Sequence, residues 1–173
     1  MPWLIICRPP VTTRLPAQRR HAPWPLAPNG ALIQGTDVQL MAGSGLSNQG
    51  TLRASNSLLI GAENIDNSGL MEANQRLSLL ATDSIRNAQG GIIAGKNVTA
   101  IALTGDIRNE RTITQEARSG RNFSQLTSVV DKAAGIEASN DLTLSAGRDI
   151  QNIGGSLKAG GDARARCRRR QRR

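Results

Sequence analysis

The sequence predicts an all-β protein, a right-handed parallel β-helix of roughly five to six rungs with disordered termini. One observation is a repeat of about 20 residues between positions 30 and 163, in which an apolar residue, any residue and an asparagine recur. A second is that short segments in each repeat alternate apolar and polar residues, which is the periodicity of a strand. A third is that no apolar stripe with a 3.6-residue period runs for the length of a helix.

The recurring asparagine stands at the same point of each repeat. Its copies are 19, 20, 22 and 43 residues apart, and the last spacing is about two repeats long. Stacked rungs would place these copies about 4.8 Å from one another, so that their side-chain amides can hydrogen-bond to one another. We therefore expect a ladder of amides at one turn. Its predicted members are Asn48, Asn67, Asn87, Asn109 and Asn152.

The predicted core consists of the apolar residues that alternate with polar ones. Three short strands cannot bury their apolar faces alone, but stacked rungs bury them against one another. In the later repeats an apolar-x-Ala mark precedes these residues, as at Met71-x-Ala73 and Ile92-x-Ala94. The predicted core residues are Leu58, Ile60, Ile65, Leu77, Leu79, Ile85, Val98, Ile107, Leu142, Leu144 and Ile150.

The composition predicts five segments. Residues 1–29 hold all seven prolines and no acidic residue, which predicts a head that is disordered or read out of frame. Residues 30–109 and 135–163 carry the repeats, and residues 110–134 interrupt them as a loop or hairpin. Residues 164–173 are mostly arginine, and we expect a disordered or out-of-frame tail.

No group of residues predicts catalysis, a cofactor or a metal site. Residues 90–97 approach the P-loop pattern, but Asn97 replaces the hydroxyl residue and a strand-like segment follows it. Asp83, Asp106 and Asp149 lie near equivalent turns, where solvated carboxylates beside glycine are the simpler interpretation. The other acids are spread along the repeat, whereas polysaccharide hydrolysis needs clustered carboxylates. We therefore expect that the chain is not an enzyme.

The repeat resembles that of a known family. The stretch LTLSAGRDIQN at 142–152 matches the family alternation Leu-x-Leu-x-Ala-Gly-x-Asp-Ile-x-Asn in full, and GDIRN at 105–109 matches it in part. The family is that of the filamentous haemagglutinins, large exoproteins of Gram-negative two-partner secretion that include contact-dependent growth-inhibition effectors. The resemblance covers residues 30–163. It implies secretion to the cell surface through an outer-membrane transporter partner of the full-length protein, of which this chain is expected to be a fragment.

The resemblance implies two alternative functions. The leading one is a non-catalytic structural and adhesive segment that attaches to host or bacterial cell-surface receptors or glycans. The other is the β-helical stalk that delivers a growth-inhibition toxin. A weaker alternative is nucleic-acid binding through the arginine tail, because the net charge of +9 resides at the two ends of the chain. The leading interpretation includes neither a nucleic-acid partner nor a membrane span.

Overall fold

The chain forms a parallel β-solenoid of about six turns. The structure, a computed structural model, describes residues 31–120 and 123–168. All regular structure in these ranges is strand. The strands are β1 (Leu32–Met41), β2 (Leu46–Asn48), β3 (Thr51–Ala62), β4 (Ile65–Asn67), β5 (Leu70–Ala81), β6 (Ile85–Asn87), β7 (Ile92–Ala102), β8 (Ile107–Glu110), β9 (Ile113–Gly120), β10 (Phe123–Val130), β11 (Gly135–Ala138), β12 (Leu142–Ala146), β13 (Ile150–Ile153), β14 (Ser156–Ala159) and β15 (Ala163–Cys167).

Each strand of the solenoid pairs with its equivalent in the next turn rather than with its neighbour along the chain. The larger sheet runs β1-β3-β5-β7-β11-β14, and β12 joins it between β7 and β15. The smaller sheet runs β2-β4-β6-β8-β13. Equivalent residues lie side by side in this register, so that Leu58 pairs with Leu77, and Leu77 pairs with Val98. The three-residue apolar-x-Asn segments are therefore the strands of the smaller sheet.

The core fills the interior of the solenoid. Of the residues predicted to form it, all but Ile150 are buried. Ile150 is half-buried because β13 is the outermost strand of the smaller sheet, with no further rung to cover it. A further buried column, absent from the predicted core, consists of Leu52, Met71, Ile93 and Ile136.

The apolar-x-Ala mark at Ile92-x-Ala94 was misplaced by one residue. Met71 pairs with Ile93, and Ala73 pairs with Gly95, whereas Ile92 is 43% exposed. The register shifts between the pair Ala73–Gly95 and the next pair, Arg76–Asn97. Strand β7 has one residue fewer than β5 at this corner of the rung. A Cβ atom on Gly95 would lie 3.2 Å from the backbone oxygen of Ala73, so the shortened corner suits a residue without one.

The arginine tail enters the solenoid further than expected. Residues 163–167 form β15, which pairs in parallel with β12. Ala163, Ala165 and Cys167 pair with core residues of β12, and the intervening arginines alternate with them. The sequence predicted a disordered or out-of-frame tail from residue 164, whereas the structure has a strand there. Backbone pairing needs only an alternation with a period of two residues, and Ala-Arg-Ala-Arg-Cys retains it. The expectations for residues 1–29 and 169–173 lie outside the described residues.

The interruption at 110–134 contains an antiparallel hairpin. Its strands β9 and β10 pair from Ile113 with Val130 to Gly120 with Phe123. At the base, the Thr112 hydroxyl donates to Asp131 Oδ2 at 2.5 Å, and the Asp131 N–H donates to the Thr112 carbonyl at 2.9 Å. The solenoid resumes at Gly135, which pairs with Ile92 of β7. The hairpin therefore inserts between two consecutive rungs without displacing their pairing.

The stacked core makes a prediction about stability. Leu77→Ala should lower the free energy of unfolding by about 2–5 kcal/mol, because Leu77 is fully buried between Leu58 and Val98 and its truncation leaves a cavity. The control is Leu59→Ala in the neighbouring rung, where the side chain is 40% exposed and a loss below about 1 kcal/mol is expected. Urea unfolding followed by far-UV circular dichroism measures both. Equal losses would contradict the assignment of Leu77 to the core.

Candidate functional site: the asparagine ladder

The five predicted asparagines lie in one column along the smaller sheet. Asn48 Nδ2 donates to Asn67 Oδ1 at 2.8 Å, and Asn67 Nδ2 donates to Asn87 Oδ1 at 2.8 Å. Asn87 donates in the same way to Asn109 at 2.9 Å, and Asn109 to Asn152 at 2.8 Å. Every amide therefore points in the same direction along the solenoid axis.

The ladder also satisfies the backbone of the turn that follows it. Asn87 Nδ2 reaches the carbonyls of Gly91 at 3.0 Å and Gly135 at 3.1 Å. Asn67 Oδ1 accepts the N–H of Gly69 at 3.3 Å. Asn87 is completely buried, so its amide has no water to replace a lost partner. Leaving such a group unpaired would cost about 1–3 kcal/mol.

The glycines after the asparagines permit the rungs to stack this closely. A Cβ atom on Gly69 would lie 2.1 Å from the carbonyl oxygen of Gly50, one rung away. At Gly91 a Cβ atom would lie 2.5 Å from both Asn67 O and Asn87 Oδ1. These turns therefore need glycine for close approach, in addition to the amide that bridges them.

A second row of polar contacts between rungs lies just before the ladder along the chain. It was not predicted from the sequence. The Ser84 N–H donates to Asn64 Oδ1 at 3.2 Å, and the Asp106 N–H donates to Ser84 Oγ at 3.3 Å. The Asp149 N–H continues the row to Asp106 Oδ1 at 3.2 Å. The signal was present, because each of these polar residues stands directly before an isoleucine of the apolar-x-Asn segment.

The three aspartates that the sequence places near equivalent turns do not all align. Asp106 aligns with Asp149, whereas Asp83 lies one residue earlier in its rung. Asp106 is buried and forms salt bridges with Arg148 at 3.2 Å and with Arg108 at 3.3 Å. Its charge is therefore balanced by the protein. Within the described ranges, no group of three or more His, Cys, Asp or Glu side chains could hold a metal ion.

Asp37 on β1 makes another contact between rungs. Its Oδ1 accepts hydrogen bonds from the Ser57 hydroxyl at 2.5 Å and from Asn56 Nδ2 at 2.7 Å. These bonds, that from Ser57 foremost, lower the pKa of Asp37 below its ordinary value, because they favour the charged carboxylate. Side chains thus connect successive rungs on the exposed surface as well as inside.

Most of the chain matches one family model. The haemagglutinin repeat model matches residues 22–111 and 117–167.

The chain belongs to the haemagglutinin repeat family.

The matched range places residues 22–29 and β15 within the repeat region, beyond the boundaries that the composition indicated. Of residues 90–97, which approach the P-loop pattern, residues 92–97 lie inside strand β7. The match is therefore to the segments that build the solenoid, and the chain is a structural repeat segment.

Several curated relatives of this haemagglutinin repeat chain are long toxins. The chain is 35% identical over 132 residues to the 16S rRNA endonuclease CdiA of Enterobacter cloacae, 35% over 137 residues to the toxin CdiA of Escherichia coli, and 37% over 139 residues to the deoxyribonuclease CdiA of Dickeya dadantii. These matches cover 75–76% of the chain and about 4% of each relative. No solved structure matches the chain. Within the described ranges, no helix is long and apolar enough to cross a membrane.

The ladder predicts an unusual pH dependence for one isosteric variant. Asn87→Asp keeps the side-chain size but replaces the donor with a carboxylate that faces Asn109 Oδ1 and two carbonyl oxygens. We expect a loss of about 3 kcal/mol or more at pH 7. Burial among acceptors raises the folded-state pKa of the new Asp above its unfolded value of about 3.9. The loss should therefore be smallest below that value and grow as the pH rises through the folded-state pKa.

The matched control is Asn140→Asp. Asn140 Nδ2 donates to Asn97 Oδ1 at 2.9 Å, which is also an amide-to-amide bond between rungs, but Asn140 is exposed. Urea unfolding of both variants and the wild-type chain at pH 4 and pH 7 measures the difference. If Asn87→Asp is no more destabilising than Asn140→Asp at pH 7, the buried ladder does not stabilise the fold.

Proposed function

We propose that the chain is a non-catalytic shaft segment of a secreted surface exoprotein, and that it forms part of the stalk that holds a toxin away from the producing cell. The observation that supports this is the pattern of the matches. The relatives are named for action on 16S rRNA, on tRNA or on DNA, yet the match to this chain covers only about 4% of the length of each relative. A segment shared by such different toxins is suited to a role that does not depend on the target of the toxin.

The geometry suits a spacer. Six turns at the strand spacing of about 4.8 Å extend the chain by roughly 29 Å along the axis. The interior is continuously packed, and the amides of the ladder, buried from Asn48 to Asn109 and exposed at Asn152, join every rung of the smaller sheet to the next. Repeats of this kind contact only their neighbours, so further repeats lengthen the rod without altering the existing ones. In the full-length protein, we expect secretion through an outer-membrane transporter partner.

The stalk proposal can be tested by replacement. Residues 31–168 should substitute for the matched segment of the Enterobacter cloacae relative, and the chimaera should inhibit target cells as the parent does, because the repeat supplies length and stiffness only. Secretion and growth inhibition are measured separately. A matched chimaera with Asn87→Asp should show reduced secretion, because its solenoid is destabilised.

One outcome would contradict the spacer role. If the wild-type chimaera is secreted normally but no longer inhibits target cells, the original segment carries recognition that this chain lacks. The purified chain itself should leave rRNA, tRNA and DNA intact.

A second candidate function, adhesion, is supported by an apolar stripe on the outside of the solenoid. Met41, Gly61 and Leu80 are consecutive members of one outward column, and Ile101 follows them. Met41 is 53% exposed and Leu80 is 42% exposed. Leu103, which is 51% exposed, lies in the same groove as Met41 and Leu80. Contiguous exposed apolar residues commonly mark interaction sites.

Adhesion makes its own prediction. Leu80→Asp should abolish binding of the purified chain to epithelial or bacterial cells, because the charge interrupts the apolar stripe. Ile113→Asp is the control, since Ile113 is 62% exposed but lies on the hairpin. Flow cytometry with labelled protein measures both variants. Wild-type binding no stronger than that of an unrelated basic protein would eliminate adhesion and leave the spacer role.

A further inference from the structure

The hairpin presents an edge strand that differs from all the others the structure describes. Strand β10 pairs with β9 on one side only, and it is eight residues long. Its sequence, FSQLTSVV, contains no charged residue, proline or glycine. Exposed edges of this kind are templates for pairing with another strand, and natural proteins usually block them with charges, proline, bulges or short length.

The other described edges carry these protections. Strands β2 and β13 have three and four residues. Strand β1 contains a charged residue, and the irregular register near that residue also hinders pairing with another strand. The charged edge strands are β1 with Asp37, β9 with Glu116 and Arg118, β14 with Lys158, and β15 with Arg164 and Arg166. Strand β10 alone among the described edges combines length with an uncharged sequence, so the absence of protection is specific to one place.

One face of the hairpin carries two pairs of exposed apolar residues. The register places Ile113 opposite Val130 and Ala117 opposite Leu126 on this face, with Gln115 opposite Ser128 between the two pairs. Ile113, Leu126 and Val130 are 58–64% exposed. A two-stranded hairpin is marginally stable in water, and three or more strands with a hydrophobic face are needed for independent stability. Additional strands along β10 would therefore stabilise the hairpin as well as fill its edge.

We propose that β10 is a homophilic docking edge, which pairs antiparallel with β10 of a second copy of this chain to form a four-stranded sheet. A twofold axis through Leu126 places Leu126 opposite its own copy and Gln125 opposite Thr127. In this register the residue numbers of each pair differ by zero or by an even number, and such residues point to the same face of a strand. The equivalent faces of the two hairpins therefore lie on the same side of the four-stranded sheet. No like charges meet, since the strand has none.

The second copy is the occupant that the strand itself favours. A foreign strand would have to supply a matching pattern, whereas the twofold register pairs apolar with apolar and polar with polar residues from β10 alone. The hairpin lies outside the two solenoid sheets, so two solenoids can approach side by side through it. The interface is small, and we expect a weak dimer that joins neighbouring shafts laterally.

Charge-swap variants of the 173-residue chain test this proposal. Sedimentation velocity of nuclease-treated protein, from about 1 to about 500 µM, should show a monomer–dimer equilibrium for the wild type. Leu126→Lys and Leu126→Glu should each raise the dissociation constant by at least about tenfold, because like charges meet at the axis. An equimolar mixture of the two variants should restore the dimer, which a variant that merely unfolded the hairpin could not do.

The matched control is Ala117→Lys, which places the same charge opposite Leu126 on the other strand of the hairpin and should leave the dimer intact. Three results would overturn the proposal. The first is a wild-type chain that stays monomeric over the whole concentration range, which would leave the edge to a different protein. The second is a mixture of Leu126 variants that fails to dimerise. The third is a dimer abolished by Ala117→Lys but not by Leu126→Lys, which would assign the contact to β9.

Discussion

Stacking of each residue on its equivalent in the next rung, at the spacing of paired strands, is the constraint on which the structure depends. It is enforced most strictly at the asparagine turn, where Asn87 bonds to the amides of Asn67 and Asn109 and is fully buried. A slip of one residue would remove these bonds and turn the apolar side chains of the rung outward. The ladder and the core therefore select the same register. Gly69 and Gly91 belong to this constraint, since a side chain at either position would meet the backbone of the rung beside it.

Most of the fold could be predicted from the sequence because stacking makes equivalent residues chemically alike. An isoleucine stands two residues before four of the five ladder asparagines, at 65, 85, 107 and 150, and a repeated residue type reveals both the period and its inward position. The errors occur where stacking does not demand a residue type. The corner at Gly95 varies in length, and local spacing cannot show which of two neighbouring residues faces inward. The tail strand β15 was missed because its pairing uses the backbone, and small residues such as Ala163 and Ala165 are a weak apolar signal.

Changes of repeat length are confined to the turns. The spacing from Asn87 to Asn109 is two residues longer than that from Asn67 to Asn87. Two residues are added at Gln89 and Gly90, both in the left-handed region with φ of 52° and 78°, one is lost at the Gly95 corner, and one is added between Ala102 and Ile107. The much longer spacing from Asn109 to Asn152 contains the hairpin and yet ends in the same amide bond of 2.8 Å. Insertions are tolerated because a loop that leaves and re-enters at adjacent points does not alter the stack. The inside of such a rod is therefore constrained, while its turns are free to acquire new contacts.

This division between interior and turns explains why function is hard to assign to the stacked residues themselves. Asn87 and its neighbours are buried and fully hydrogen-bonded, so they have no capacity left for a ligand. Any recognition would use what the stack leaves outside, and the stripe around Leu80 and the hairpin are two such surfaces in the described ranges. The two differ in kind, because the stripe offers side chains on a rigid sheet whereas β10 offers unpaired backbone. Since backbone pairing needs only a compatible strand, an uncharged edge on a repeated rod favours contact with another rod of the same sequence.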